Sequence, residues 1–255
     1  MPSKLISISI VIHNQAEIAR QLFEDISAID DPLAAEILLT INTHERIPYK
    51  ISKFRHSFKI IRNTAPKGFG ANHNAAFRLS KGRYFCVLNP DIRLIGNPFN
   101  TLIECLEKRG GGLVAPRIVN LSGTTENNAR YFPTPFTILK KAFLRSQQPD
   151  YPEMERVFEP DWVGGMFMLF TRSCFEAING FDERYFLYYE DVDLCARMKM
   201  AHLPILLCPF VKAVHDARFE SHHSLKYLRW HVASMARFFL SKGFWQLAAS
   251  PRMKT

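Results

Sequence analysis

The stretch Leu5-Ile6-Ser7-Ile8-Ser9-Ile10-Val11-Ile12-His13-Asn14-Gln15 decides how the rest of the chain is read. Residues 5–12 are Leu, Ile and Val interrupted only by two serines, and a polar turn follows, so the run reads as a buried strand. Ile18, Leu22, Ile26 and Ile29 then recur at about helical spacing, and Asp31-Pro32 ends that helix. The alternation continues with strands over 36–41, 58–61 and 83–88. Helices are predicted over 71–79 and around Phe99, Leu102, Ile103 and Leu106. This order predicts an α/β fold: a mainly parallel sheet with helices on both faces.

The pattern changes near residue 117. Residues 120–160 are polar and carry Pro133, Pro135, Pro149, Pro152 and Pro160, which resist regular structure. A loop insert with one short helix, about 136–145, is expected. Apolar sequence returns at Trp162-Val163-Gly164-Gly165-Met166-Phe167-Met168-Leu169-Phe170, and an apolar strand is predicted over 203–214. Helices are predicted over 190–199 and 224–240, the second with Leu225, Leu228, Val232, Met235 and Phe239 as its apolar face.

The chain has 255 residues and is 47% apolar, which suits one folded domain with a short appendage and excludes fibrous and disordered classes. Its net charge of +9 suits an anionic partner. Nucleic acid is not expected, because no zinc-finger spacing or helix-turn-helix signature is present. The five cysteines show no metal-ligand spacing and read as buried thiols of a reducing compartment. There is no signal-peptide pattern, and Pro204, Pro209 and Lys212 interrupt the most apolar later stretch. A cytoplasmic protein is expected. From Arg218 onward, seven Lys or Arg residues face one acid, Glu220. Lys226, Arg229, Arg237 and Lys242 lie near Phe238, Phe239, Phe244 and Trp245, a composition that suits peripheral contact with an anionic membrane surface or, for the rings, packing on the domain.

The chemistry concentrates in Phe181-Asp182-Glu183-Arg184-Tyr185-Phe186-Leu187-Tyr188-Tyr189-Glu190-Asp191-Val192-Asp193-Leu194-Cys195. Gathering Glu190, Asp191 and Asp193 beside so many rings costs repulsion and desolvation. On a helix, Asp191 is turned about 100° from Glu190, so the three acids cannot share one task. One can face a cleft as a base while a neighbour binds Arg197; acids in a first turn also simply complement the helix dipole. Tyr185, Phe186, Tyr188 and Tyr189 could line a sugar slot and raise a carboxylate pKa. Upstream, Leu88-Asn89-Pro90-Asp91 ends a strand, where oxygen ligands suit Mg2+ or Mn2+ on a diphosphate, though the tripeptide also reads as a turn. Lys67-Gly68-Phe69-Gly70 permits close backbone approach and positive φ, with a helix N-terminus behind it for an anion and Asn72 and Asn74 as donors; it reads equally as an ordinary turn. His215 follows an apolar strand and is either a metal ligand or a packed histidine. No nucleophile elbow is present.

In this order, these segments resemble the inverting nucleotide-sugar glycosyltransferases of family 2, which have the GT-A fold. The resemblance covers nearly the whole chain. It rests on Val11-Ile12-His13-Asn14, Asn63 with Gly68-Phe69-Gly70-Ala71-Asn72-His73-Asn74, Leu88-Asn89-Pro90-Asp91, Trp162-Val163-Gly164-Gly165, Gly180-Phe181-Asp182, Tyr188-Tyr189-Glu190-Asp191-Val192-Asp193-Leu194 and His215. It implies that Asp91 binds a divalent ion, Mg2+ or Mn2+, that His215 completes that site, and that Asp191 is the general base with Glu190 beside it. The implied donor-binding set is His13, Asn14, Asn42, Lys67, Gly68, Phe69, Gly70, Asn72, Asn74, Asn89, Asp91, Trp162, Gly164 and Gly165; Tyr188, Tyr189 and Glu190 would meet the acceptor.

The Asn-Pro-Asp form, with the tail from Ser224 through Arg229-Trp230-His231 to Arg237-Phe238-Phe239-Leu240, is similar to the rhamnosyltransferase branch. That branch implies dTDP-L-rhamnose as donor and a polyprenyl-diphosphate-linked GlcNAc as acceptor, in O-antigen or related polysaccharide synthesis at the inner face of the bacterial plasma membrane. The implied division is a GT-A catalytic domain over 1–217 and a basic, aromatic helical extension over 218–255. Within the domain, 1–115 would bind the nucleotide-sugar and 116–217, with its insert at 120–160, the acceptor. The family often ends its second strand in Asp-Asn; here Ile41-Asn42 stands, so the nucleobase contact is left open. Another nucleotide sugar, or a non-catalytic binding partner of polysaccharide assembly, are the alternative readings.

Overall fold

The computed structural model describes residues 6–29, 35–144, 149–216 and 225–249. The predicted stop at Asp31-Pro32 and the boundary at 217/218 lie outside the described residues. Strand β1 (Ile6–Ile12) pairs in parallel with β2 (Ala35–Ile41) and β4 (Tyr84–Leu88), and β2 pairs in parallel with β3 (Ser57–Arg62). The period of two in β1 sorts its side chains. Ile6, Ile8, Ile10 and Ile12 enter one core with Leu22, Phe23 and Ile26 of α1 (Ala16–Ser27). Ser7 and Ser9 point to the opposite face and are fully buried, so both need partners. Ser7 Oγ donates to Glu36 and accepts from the Gly82 N–H, and Ser9 Oγ meets His73 Nδ1 at 2.8 Å on α2 (Phe69–Leu79). Burial holds the His73 pKa down at about 3, so that imidazole is a neutral packing group.

The second half of the sheet is mixed. Strand β6 (Leu113–Val119) pairs in parallel with β10 (Ile205–His215), β9 (Phe167–Thr171) runs antiparallel between β4 and β6, and β5 (Ile92–Leu94) closes the far edge against β10. The sheet order is β3-β2-β1-β4-β9-β6-β10-β5. Strand β6 was hidden in the sequence by Pro116, which cannot donate to a ladder. Its register partner is Cys208, where β10 shifts register before Lys212. The apolar run at 162–170 is two strands. Gly164-Gly165 divides it, so that β8 (Trp162–Val163) leaves the main sheet and pairs with β7 (Ala129–Arg130) in a separate ribbon.

Helix α3 (Phe99–Lys108) covers one face of β6 and β10, and α4 (Pro135–Leu144) is the short helix of the insert. A short α5 (Arg172–Ala177) and then α6 (Glu190–Met200) follow, with α7 (Leu225–Phe239) and α8 (Lys242–Ala249) at the end. The expected apolar face of α7 is corrected by the structure: Leu225, Leu228 and Val232 are exposed. What docks is a ring surface and a hydroxyl. Trp230 stacks on Phe186 at 4.5 Å, His231 meets Tyr188 at 5.0 Å, Ser234 Oγ donates to the Leu187 carbonyl, and Phe238 is fully buried. Phe244 is buried too, whereas Trp245 is exposed. No helix among the described residues is long and apolar enough to cross a membrane.

Gly180 holds φ +63, and a Cβ there would stand 2.4 Å from Asn74 Oδ1. That oxygen accepts the Phe181 N–H while Asn74 Nδ2 donates to the Phe181 carbonyl, which ties α2 to the segment before α6. Gly180→Ala should therefore lower unfolding free energy by about 1–3 kcal/mol, measured by urea denaturation. An unchanged midpoint would show that the turn relaxes without cost.

Candidate active site

Because β1, β2 and β4 are parallel, their carboxyl ends meet at one edge, where open α/β sheets bind ligands. His13 and Asn14 follow β1, Asn42 follows β2, and Asn89-Pro90-Asp91 follows β4. With Lys67, Phe69, Asn72 and Tyr188 they line a cleft of about 600 Å3. Its floor is an amide network. Asn42 Oδ1 accepts the Lys67 N–H and Asn63 Nδ2, each at 2.8 Å, and Asn63 Nδ2 also donates to Asn72 Oδ1 at 2.7 Å. Asn42 Nδ2 returns to the Lys67 carbonyl at 2.9 Å. These amides hold the 63–68 loop in place and leave the Lys67 side chain exposed at the cleft.

The two loop glycines serve the chain itself. Neither has the positive φ expected of it. A Cβ at Gly68 would come within 2.8 Å of the Phe186 backbone, and one at Gly70 within 2.5 Å of Phe181 Cβ. The Phe69 N–H, first in the helix, donates to the Phe186 carbonyl. So the close approach is to residues 181–186, and that helix N–H is already taken. Asn74 clamps Phe181 and lines neither of the two cavities described here.

The strand-end acids do not continue the strand. The Ile92 N–H returns to the Asn89 carbonyl, so Asn89-Pro90-Asp91 is a turn that carries Asp91 into the cleft. Asp91 Oδ1 is buried without a hydrogen-bond partner, and Oδ2 lies 3.4 Å from His215 Nε2. Glu126 Oε2 meets His215 Nδ1 at 2.9 Å. Burial opposes a charged His215, but the hydrogen bonds and charges of Asp91 and Glu126 outweigh it and raise the pKa to about 9. No group of three or more His, Cys, Asp or Glu arranged for a metal occurs among the described residues. A small hard cation on a diphosphate does not require one, since substrate oxygens and water fill most of its shell. The orphaned Asp91 oxygen fits such an ion; the imidazole would add a nitrogen only by giving up the proton that Asp91 and Glu126 favour on it, with Glu126 then orienting the ring from behind.

A second cavity, of about 420 Å3, lies beyond Tyr188, which lines both. Glu190, Asp191, Tyr189, Trp162 and Arg130 line it, between walls from α4 and α7. Tyr188 and Tyr189 both sit in the left-handed region, at φ 68 and 64, immediately before α6. Two such non-glycine residues in succession store strain, and they turn the chain so that Glu190 and Asp191 open α6 at the cavity wall. Asp193 goes elsewhere: it takes Arg197 Nε at 2.8 Å. Asp191 Oδ2 accepts the Gly165 N–H at 3.0 Å and Oδ1 the Val192 N–H at 2.9 Å. Burial raises the Asp191 pKa above the usual aspartate value, and these N–H groups pull it back part of the way. Glu190 is more deeply enclosed. Burial first and the Asp191 charge second push its pKa well above 4.5, so of this coupled pair Glu190 keeps the proton.

Trp162, Gly164 and Gly165, expected at the donor, divide. Trp162 lines the second cavity, Gly164 donates to the Asn128 carbonyl, and Gly165 holds Asp191. Glu126, Arg130 and Glu45 were not found from sequence. Glu45 accepts the N–H groups of Asn14 at 2.6 Å and Ala16 at 3.0 Å, and so caps α1 from a distant loop. The one available signal was that Gln15 is a poor local cap.

This sheet, with a cleft at the strand ends and a buried carboxylate pair beside it, is that of a GT-A glycosyltransferase. The chain belongs to glycosyl transferase family 2, which it matches over residues 7–169; residues 154–223 also match a family described as the N-terminal domain of galactosyltransferase. Its relatives include rhamnosyltransferase WbbL of Escherichia coli K12, 27% identical across 93% of this chain and 94% of that one. The N-acetylglucosaminyl-diphospho-decaprenol L-rhamnosyltransferase of Mycobacterium tuberculosis is 30% identical across 63% of this chain and 56% of its own. Among solved structures, GalNAc-T7 with UDP, GalNAc and Mn2+ superposes with a TM-score of 0.68 at 15% identity, over 92% of this chain and 48% of that one. The mannosyltransferase PcManGT of Pyrobaculum calidifontis, with GDP-Man and Mn2+, gives 0.63 at 15% identity over 91% of this chain and 64% of its own.

The raised Glu190 pKa carries a stability signature. Between 4.5 and its folded value, the folded chain holds a proton that the unfolded chain has released, so stability falls as pH climbs through that window. Glu190→Gln cannot ionise and escapes this loss. Its melting temperature should match wild type near about pH 4 and exceed it increasingly above that. A difference that stays flat with pH would place the shared proton elsewhere.

Proposed function

We propose that this glycosyltransferase moves L-rhamnose from dTDP-L-rhamnose to a lipid-diphosphate-linked GlcNAc or related glycan acceptor in cell-surface polysaccharide synthesis, with inversion. The observation that carries the reading is Asp191, fixed by the Gly165 N–H in the cavity that adjoins the strand-end cleft across Tyr188. The relatives' names supply the sugar. The donor would lie in the strand-end cleft with its diphosphate at Asp91. The acceptor hydroxyl would meet Asp191, which takes its proton as the oxygen attacks the anomeric carbon and the bond to the diphosphate breaks. Glu190, protonated, would orient that hydroxyl as a hydrogen-bond donor. No protein nucleophile is needed, and a β-L-rhamnosyl nucleotide yields an α-rhamnoside. A divalent ion, Mg2+ or Mn2+, held by Asp91 and His215 would supply positive charge against the departing diphosphate. Ile41 leaves open a second reading within the same chemistry, a different nucleotide sugar, because residue 41 itself cannot accept a pyrimidine N–H. Turnover of a nucleotide-sugar panel with a short-chain lipid-diphosphate GlcNAc decides between them.

Two variants should separate the roles. Asp191→Asn keeps shape but cannot accept a proton, so transfer should fall at least about a thousandfold while donor affinity by calorimetry holds. Asp91→Ala should instead weaken donor binding and abolish its dependence on added divalent ion. Near-normal turnover in folded Asp191→Asn, or full wild-type turnover under chelation, would overturn the corresponding assignment.

A lipid-linked acceptor requires the second cavity to work at a membrane surface. Two features support peripheral attachment to an anionic surface, the inner face of a bacterial plasma membrane in this reading. Phe136, Leu139 and Phe143 of α4 and Leu225, Leu228 and Val232 of α7 are exposed on the helices that wall the cavity. Neither helix contains a carboxylate, while α7 carries Lys226, Arg229 and Arg237. Sedimentation with vesicles should increase with anionic lipid, decrease with salt, and weaken in the pair Phe143→Ser and Leu228→Ser. Equal recovery in the supernatant with and without anionic vesicles at low salt would rule the attachment out.

A further inference from the structure

Arg130 is the unexplained charge of the second cavity. It sits on β7 directly opposite Trp162 of β8, and its guanidinium lies 5.2 Å from the centroid of that indole ring. Trp162 Nε1 donates to the Tyr131 carbonyl at 2.9 Å, which locks the ring against the ribbon. Arg130 Nε is buried and donates no hydrogen bond. The nearest carboxylate oxygen, Asp150 Oδ2, is 3.8 Å away and already accepts the Tyr131 N–H at 3.0 Å. Asp150 thus holds the guanidinium electrostatically without using its donors. Apart from His231, which burial and then the Arg130 charge keep toward the neutral form, Arg130 is the one basic residue among the described residues lining this cavity.

A guanidinium presents five donors in a planar fork; here Nε is buried without a partner, while the side chain as a whole stays 39% exposed, so its other donors can be reached by a ligand. Such a fork is matched by carboxylate or phosphate oxygens. The covalent path from Arg130 to the base is also short. The ribbon pairs Arg130 with Trp162, and three residues on the Gly165 N–H grips Asp191. The guanidinium and the Asp191 carboxylate are therefore fixed at two points along one wall. The donor diphosphate would lie in the other cleft, at Asp91.

We propose that Arg130 binds the phosphate of the acceptor, so that the enzyme selects sugars carrying a phosphate ester and seats their free hydroxyl at Asp191. This rests on the lipid-linked acceptor reading and deepens it, because it makes the charged linkage a recognised part of the substrate. The stacked Trp162 face preorganises the fork, and the absence of competing hydrogen bonds leaves it available to the ligand.

The test uses the full chain with three synthetic probes: undecyl diphosphate, GlcNAc-diphospho-undecyl, and the neutral undecyl GlcNAc glycoside. Wild type should bind the glycosylated diphosphate at least about tenfold more tightly than the neutral glycoside, by calorimetry. Arg130→Gln should erase that preference, and Arg130→Lys should retain part of it as a point charge. Donor nucleotide affinity should move less than about twofold in both variants, which separates this phosphate from the donor's. No preference in wild type, a preference that survives Arg130→Gln, or equal weakening of charged and neutral probes would overturn the proposal. Tight, Arg130-dependent binding of undecyl diphosphate with no gain from the sugar would sustain the phosphate subsite while overturning GlcNAc as the acceptor sugar.

Discussion

The hydrogen bond from the Gly165 N–H to Asp191 Oδ2 joins the parts of this enzyme that sequence keeps apart. On one side it is anchored in the sheet through β9, which starts two residues later, and in the β7–β8 ribbon that ends just before Gly164. On the other it ends on α6, whose start is set by the strained Tyr188-Tyr189 pair. A Cβ at residue 165 would stand 3.3 Å from the Phe69 ring and 3.7 Å from Asp191 Cβ, so a glycine lets the start of α2, the ribbon and α6 converge there. The fold itself orients the carboxylate, and the proposed role as base would draw on that preorganisation.

Charge follows a consistent division across the two cavities. In the strand-end cleft, Asp91 and Glu126 face the imidazole of His215, and one Asp91 oxygen is left without a partner. In the second cavity, Glu190 and Asp191 lie so close that burial and mutual repulsion cannot let both ionise freely. Protonating Glu190 gives the pair two functions, a donor and an acceptor, from two like residues. Environment assigns the roles: Asp191 receives two backbone N–H groups, while Glu190 Oε2 is buried with no partner.

What the sequence made legible was periodic or local. The run 5–12 and the spacing of Ile18, Leu22 and Ile26 predicted β1 and α1 because a single pattern fixed both burial and element type. Asp91 and His215 could be placed at strand ends because strands β4 and β10 read clearly, although β6 vanished behind Pro116. Gly68, Gly70 and Asn74 were noticed for the right chemistry, small size and amide donors, but their partners lie more than a hundred residues on, at Phe181 and Phe186. No local rule reaches that far. Glu126 and Arg130 were invisible because they stand in a proline-rich segment without periodicity, where only tertiary pairing gives a residue an address.

The α7 stripe shows why an apolar pattern alone does not say what it packs against. The period of Leu225, Leu228 and Val232 is helical, and the helix forms, yet that stripe is turned to solvent. Residues 185–189 offer α7 a row of rings and one carbonyl, and ring stacking plus the Ser234 hydroxyl satisfy that surface better than branched aliphatics would. The helix is therefore oriented by its aromatic and polar residues, and the aliphatic stripe is displayed as a consequence. Because the same helix contributes His231 and Met235 to the second cavity, the displayed stripe is carried beside the cavity that Asp191 lines. Docking of Trp230 and Ser234 thus fixes both the cavity wall and the direction in which the apolar surface faces, through one helix.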